Sequence, residues 1–269
     1  NQNLKMRRRQ ELKSRKLLSG PYLFWAASFI IIPLLMILYY GLTDKNGNFT
    51  LMNLAQITTQ ENLKALGLAL LLSFVSTLIC LILAYPLAMI LSEKNVNQTS
   101  FIVLIFILPM WMNFLLRTYS WMSILENNGL LNQLFQQIGL IDLYNQIAMH
   151  FASDPAAYVP IDHFQMIGTQ GAVVLGMVYN YLPFMILPIY SVLVKLDHSL
   201  IEAARDLGAS SVQVFRKVIL PLSLPGVLSG ITMVFVPSVS TFAISRLLGG
   251  GTQMMLGDLI EQQFLGGAY

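Results

Sequence analysis

The sequence has one cysteine, Cys80, in 269 residues. A single thiol excludes an internal disulfide framework and a thiolate-held metal cluster. Charge is scarce as well: 11% of residues are Asp, Glu, Lys or Arg, against 55% that are hydrophobic. Soluble domains carry about 25% charged residues, so this chain cannot cover a globule of its length with solvated side chains. Catalytic signatures are missing too. No G-x-x-x-x-G-K-[ST] phosphate loop occurs, and Gly249-Gly-Gly251 lacks the following lysine. His150, His163 and His198 are scattered with no H-E-x-x-H pattern, and Gly-x-Ser-x-Gly is absent. Asp162-His163 is a loop pair suited to solvent. Neither a catalytic centre nor a metal site is expected.

What the chain has instead is long apolar runs. Five are long enough to cross about 30 Å of hydrocarbon as helix: Pro21–Leu42, Leu63–Leu91, Phe101–Leu125, Thr169–Leu196 and Leu222–Leu247. Their continuity excludes a transmembrane β-barrel, which alternates apolar and polar residues over about ten positions. The expected fold is all-α, a polytopic transmembrane helix bundle over 21–269 behind a basic arm, 1–20. The first run is too long for the core of a signal peptide, about 7–15 residues, and reads as a retained span.

The basic residues orient the bundle. Lys5, Arg7, Arg8, Arg9, Lys13, Arg15 and Lys16 precede the first run. Beside a span, such a cluster is a cytoplasmic anchor; no basic domain follows it, so no nucleic-acid partner is expected. With the N-terminus inside, Lys94, Lys195, Arg205, Arg216 and Lys217 also fall on inner segments, whereas the outer segments 43–62 and 126–168 hold only Lys45 among Lys and Arg. The chain is thus expected to be multi-pass in a cell (plasma or inner) membrane with a cytoplasmic N-terminus. Five spans leave 249–269 outside, and a sixth span is expected beyond the sequence, which starts at Asn1.

Prolines recur in the runs, at Pro33, Pro86, Pro109, Pro183, Pro188, Pro225 and Pro237. Lipid-embedded helices tolerate them where neighbours satisfy the freed carbonyls. They read either as packing kinks or, at Pro183 and Pro188, as flexure of a pore-lining helix.

The inner segment 195–221, KLDHSLIEAARDLGASSVQVFRKVILP, is the most informative. Ser199-Leu-Ile-Glu202 has the spacing of a capping box. Ala203, Ala204 and Leu207 continue a short helix, and Gly208 suits the left-handed residue that ends one. Ser210 or Ser211 can cap a second helix through Val212, Phe215 and Val218, which Pro221 is expected to end. The pair forms an elbow with small residues and leucines on one face and Glu202, Arg205 and Asp206 at its rim. Periodicity alone fits equally a surface docked into a partner's groove and an amphipathic connector on the membrane.

Glu202-Ala-Ala-Arg-Asp-Leu-Gly208-Ala, followed by Ile219-Leu-Pro221, resembles the EAA loop of binding-protein-dependent ABC importer permeases of type I. Pro109-Met-Trp-Met-Asn-Phe-Leu-Leu-Arg-Thr-Tyr119 and Tyr179-Asn-Tyr-Leu-Pro-Phe-Met-Ile-Leu-Pro-Ile-Tyr190 are similar to the spermidine/putrescine importer permeases. The resemblance implies that 195–221 is the coupling loop, with Ser199, Glu202, Ala203, Ala204, Gly208 and Pro221 at the dock and Arg205 and Asp206 flanking it. It also implies two ATPase subunits that bind ATP and Mg, a second permease subunit and an extracytoplasmic binding protein. No cofactor is then expected in this chain. Polyamine is the implied substrate; sulfate, iron or another small solute is the alternative, and a membrane scaffold independent of any ATPase is the alternative of another class.

Polar residues in spans are costly and mark function by default. Arg117 can face the bundle interior, pair with an acid of a partner subunit, or snorkel outward; a structural or gating role is expected for it and for Pro183. Trp111, Asn113, Tyr119, Tyr179, Asn180 and Tyr181 are candidates for a substrate pathway, since aromatic faces attract cationic amines. Interfacial belts of Trp and Tyr are the alternative.

Overall fold

The computed structural model describes residues 20–44, 47–92, 108–151 and 158–266. The basic arm up to residue 19, the segment 93–100 with Lys94, and the start of the third apolar run therefore lie outside the described residues. Those described are helical and include no strand, only an isolated bridge between Thr43 and Phe49. The chain divides into two units, one up to Leu63 and one from Lys64 to Ala268.

The first unit is built on α1, Gly20–Gly41. Its residues are apolar on every side and none is buried, which is the composition of a helix solvated by lipid. Beyond it, Asn53 Nδ2 donates to the Tyr40 and Thr43 carbonyls at 3.1 and 3.0 Å, closing the turn between α1 and the short helix α2, Met52–Ile57.

The second unit carries α3 (Gln60–Ser92) from Lys64 onward, α4 (Phe114–Leu125), α5 (Leu130–Gln137), α6 (Leu140–Phe151), α7 (Gln170–Leu193), α8 (His198–Asp206), α9 (Ser211–Val239), α10 (Ala243–Leu248) and α11 (Leu256–Leu265). Helices α1, α3, α7 and α9 are each long and apolar enough to cross a membrane. Two buried clusters hold the unit together. One joins Cys80–Leu91 of α3 to Met185, Ile186, Ile189 and Leu193 of α7 and Val227 and Val234 of α9. The other joins Ala69 and Leu72 of α3 to Leu125, Val173, Met177, Ile244, Leu248 and Met255. Apolar burial drives little between helices already in lipid, so close backbone approach matters more. A Cβ on Gly226 would stand 2.8 Å from the Pro188 carbonyl oxygen, and one on Gly230 2.7 Å from the Met185 sulfur. Glycine at both places lets α9 lie directly on α7.

Two expected boundaries need correction. The run Leu222–Leu247 is not one span: the helix starts at Ser211, ends at Val239, and a separate helix α10 follows the break at 240–242. The third run is interrupted at 112–113, where α4 starts on Asn113, and its residues 101–107 lie outside the described residues.

Pro221 does not end a helix either. It sits at the start of the third segment of α9, two residues beyond a π-helical turn at Phe215–Ile219. Pro33 follows a π turn at Ala27–Ile31 by the same two residues. A proline lacks an N–H and crowds the carbonyl four residues earlier. In both helices that carbonyl lies within the wide turn, where bonding is shifted to five residues, so the helix runs on through the proline.

Candidate functional site

The elbow is built by caps at each of its ends. Asp197, rather than Ser199, is the N-cap of α8: its Oδ1 accepts the Ser199 N–H at 3.0 Å. No Ser199–Glu202 capping box forms, because Ser199 already lies inside the helix. The Ser199 N–H and hydroxyl hold the Asp197 carboxyl below the usual carboxylate range. At the far end the Ala209 N–H reaches the Ala204 carbonyl at 3.1 Å and the Gly208 N–H reaches Arg205 at 2.8 Å, the paired bonds of a Schellman close. Gly208 has φ of +79°, where a Cβ is strained. Ser210 then caps α9 in a true capping box: its Oγ accepts the Gln213 N–H at 3.4 Å and its N–H donates to Gln213 Oε1 at 2.9 Å.

These caps hold α8 out from the bundle. None of its residues is buried, and Leu207 is 89% exposed. Leu200, Ala203 and Leu207 recur at helical spacing and form one apolar stripe. Glu202, Arg205 and Asp206 are exposed beside it, and among the described residues no ion pair joins them. The elbow is joined to the spans through Val214, which is buried, and Phe215. The Phe215 ring meets Tyr85 of α3 edge-on at 5.7 Å, and the Tyr85 hydroxyl lies 2.7 Å from that of Ser223. Tyr85 and Ser223 carry this connection and Asp197 caps α8; these roles of the three were not read from the sequence. A polar pair at bilayer depth is the available signal for the first two, and an Asx immediately before a helix for the third.

The residues expected inside the bilayer do not gather on one surface. Trp111 is 78% exposed on a helical turn at 108–111, and Tyr119 is half exposed on the outer face of α4. Asn113 is spent on capping, its Oδ1 accepting the Leu115 N–H at 2.8 Å. Tyr179, Asn180 and Tyr181 are consecutive on α7 and so point about 100° apart. Tyr179 faces Trp121 edge-on at 5.3 Å. Asn180 is buried, with Nδ2 on the Gly176 carbonyl at 2.9 Å and Oδ1 unpartnered. The Tyr181 hydroxyl reaches the Pro237 carbonyl at 3.4 Å, at the end of α9. Pro183 is buried inside α7. Arg117 does not snorkel: it is 7% exposed, and its Nε and Nη1 have no hydrogen-bond partner.

At the other end of the unit, Arg246 pairs with Glu261 at 3.1 Å. Asp258 bonds the Met255 N–H at 2.9 Å. Burial still pushes its carboxyl up, against the Met255 N–H and the Ser245 hydroxyl.

Residues 86–268 match the family described as "binding-protein-dependent transport system inner membrane component". The chain is 34% identical over 247 residues to the spermidine/putrescine transport system permease protein PotB of Escherichia coli (strain K12), covering 90% of this chain and 83% of that protein. PotB of Haemophilus influenzae shows the same identity with 80% of its length covered. The inner membrane ABC transporter permease protein YdcU of Escherichia coli is 29% identical over 87% of this chain and 74% of its own. Among solved structures, a bacterial ABC transporter involved in the import of the acidic polysaccharide alginate superposes with a TM-score of 0.67 at 17% identity, over 100% of this chain and 89% of that one. A bacterial alginate ABC transporter in complex with alginate pentasaccharide-bound periplasmic protein gives 0.68 at 17% identity, over 98% and 86%. These two likenesses are of fold.

Proposed function

Because the chain belongs to the family of binding-protein-dependent transport system inner membrane components, and is thus the permease subunit of an ABC importer, we propose that it imports polyamines handed over by an extracytoplasmic binding protein. The likeness to the spermidine/putrescine permeases over 90% of the chain carries this reading. In it, the N-terminus and the elbow face the cytoplasm. A second permease subunit completes the path, and two ATPase subunits hold ATP and Mg, so this chain itself holds no cofactor and catalyses no reaction.

The elbow is the coupling element in this reading. The stripe of Leu200, Ala203 and Leu207 is apolar area left exposed among the described residues, and small side chains at Ala203 and Ala204 admit a close neighbour. Helix α8 seats in a groove of the ATPase, with Ser199, Glu202, Arg205, Asp206 and Gly208 around the seat. ATP-driven closure of the ATPase pair moves α8, and α9 carries the movement into the bilayer past Pro221 and against Tyr85.

Two measurements test this. Gly208→Asp should abolish recovery of the ATPase with this chain or leave ATP hydrolysis uncoupled from uptake, with the spans still inserted; an intact complex with normal uptake would refute the docking role. A thiol placed by Arg205→Cys should react with a membrane-impermeant reagent only from the cytoplasmic side, over a low background because Cys80 is buried. Labelled spermidine uptake by cells lacking their own importer tests the substrate. Uptake of sulfate, iron or another small solute instead would favour the alternative solute.

A further inference from the structure

Helices α5 and α6 each carry an apolar stripe left open among the described residues. On α5 it runs through Leu130 and Leu134 to Ile138 just past the helix end, and Leu130 is 69% exposed. On α6 it is Leu143, Ile147 and Phe151, with Phe151 82% exposed. Both triplets keep the four-residue spacing of a single helical face. A helix solvated by water on that face would carry polar side chains there.

The side away from each stripe is already taken. Asn132 of α5 and Asn145 of α6 lie roughly 160° around their helices from the middle of the stripe, at about 100° per residue. Each clamps one residue of the segment 158–164 by both of its backbone groups. Asn132 Nδ2 donates to the Phe164 carbonyl at 3.0 Å, and its Oδ1 accepts the Phe164 N–H at 2.9 Å. Asn145 does the same to Ile161, at 2.9 and 3.0 Å. The Phe164 ring stands edge-on to Phe135 of α5 at 5.8 Å and to Tyr144 of α6 at 5.3 Å. Two helices and a strap thus form one hairpin.

The hairpin is rooted where the spans end. Leu125, the last residue of α4, is buried with Ala172 and Val173 of the first turn of α7, and Leu131 of α5 packs on the same cluster. Asn132 Nδ2 also donates to the Glu126 carbonyl at 3.1 Å. A Cβ on Gly129 would stand 2.5 Å from the Ile124 carbonyl oxygen, so the chain turns back tightly against the end of α4. Helix α7 runs from this end to the elbow, which puts the hairpin at the face of the bilayer opposite the elbow.

We propose that α5 and α6 lie as an interfacial hairpin in the leaflet opposite the elbow, with both stripes among lipid acyl chains. Only the naming of that leaflet as the outer one rests on the orientation given under the proposed function. The segment 126–168 holds no Lys or Arg. The seat therefore draws on apolar area rather than on attraction to anionic headgroups, and it takes zwitterionic lipid as readily as anionic lipid. A soluble partner that comes and goes fits the stripes less well, because six large apolar side chains would stand in water between its visits. Lipid covers them at all times and continues the apolar surface of the spans. Seated in this way, the hairpin pins the ends of α4 and α7 at a fixed depth.

The test uses the complete importer with its binding protein, reconstituted in phosphatidylcholine. The photoreactive residue p-benzoylphenylalanine is placed at Leu134 or Ile147 on the stripes, or at Gln133 or Gln146 beside them. On irradiation, phospholipid adducts identified by mass at Leu134 and Ile147 should exceed those at Gln133 and Gln146 by about threefold or more. Adducts at the stripes chiefly with the binding protein or the second permease would overturn the seat, as would equal lipid yields at all four positions. If either replacement prevents folding, Leu130 and Leu143 sample the same stripes. Gln146→Cys tests the leaflet separately, and its thiol should react with a membrane-impermeant reagent only from outside. Reaction only from the cytoplasmic side would overturn the orientation, while lipid adducts at Leu134 and Ile147 would still establish the seat.

Discussion

The Tyr85 and Ser223 hydroxyls meet at 2.7 Å, in a buried position between α3 and α9. Ser223 also reaches the Leu220 carbonyl at 3.0 Å, and Phe215 closes the far side of the Tyr85 ring. Tyr85→Phe should therefore leave no orphaned hydroxyl and cost about 1 kcal/mol. Tyr85→Ala removes the ring as well and should cost about 3 kcal/mol. Thermal unfolding of the assembled importer checks both. If the ring braces α9 against α3, Tyr85→Ala lowers uptake more than it lowers ATP hydrolysis.

Gly208 separates backbone conformation from packing. A Cβ there meets nothing within 4 Å, but φ is +79°. Gly208→Ala should cost about 1–2 kcal/mol through backbone strain alone, and Gly208→Asn less, because Asn tolerates the left-handed region. Affinity for the ATPase should follow the same order, Gly, Asn, Ala. Equal binding by all three would show that the Schellman close does not set the elbow's shape.

Gly226 and Gly67 form a pair with opposite expectations. At Gly226 a Cβ would meet backbone of α7, the Pro188 carbonyl oxygen at 2.8 Å and Ile189 Cα at 3.2 Å. Backbone cannot rotate aside, so Gly226→Ala should destabilise by about 1–3 kcal/mol. At Gly67 the space is open, and Gly67→Ala should stabilise by up to about 1 kcal/mol through helix propensity. Detergent-resistant folded fraction on heating distinguishes them.

Asp197 makes the start of α8 sensitive to acid. Its carboxyl titrates below the usual range because the charged form accepts from Ser199. A group whose folded pKa is depressed contributes stability above its unfolded pKa and loses it as pH falls through the folded value. Hydrogen-exchange protection at Ser199 and Leu200, corrected for the intrinsic rate at each pH, should fall as pH drops through and below the carboxylate range. Asp197→Asn keeps a cap and should flatten that dependence.

The sequence shows where apolar runs lie but not where a helix breaks within one. Leu222–Leu247 is unbroken in composition, yet the chain leaves the helix at 240–242, where Pro237 and the small polar residues Ser238, Ser240 and Thr241 offer local alternatives to the helical bond. Asn113 interrupts the third run by the same means, bonding its own neighbour. The elbow was legible as two helices joined at Gly208. The left-handed Gly208 and the Ser210 cap were legible too; the first helix's N-cap was not, since Ser199 and Glu202 have capping-box spacing but Asp197 stands two residues earlier and takes the Ser199 N–H first. Pro221 reads as a stop by the rules of water-soluble helices, whereas the π turn ahead of it absorbs the missing bond. The Tyr85–Ser223 hydrogen bond behind the elbow joins residues 138 positions apart, a distance that local pattern cannot bridge.

Because α9 begins inside the elbow and continues to Val239, it is built as a lever with its short arm in the elbow. Its 29 residues amount to roughly 43 Å at about 1.5 Å per residue. With the pivot where Phe215 meets Tyr85, a tilt of about 10° would sweep the Val239 tip sideways by roughly 6 Å over the roughly 36 Å of helix beyond it. A small displacement of the elbow is thus carried to the far end of α9, and where Tyr85 places the fulcrum sets how far that end moves.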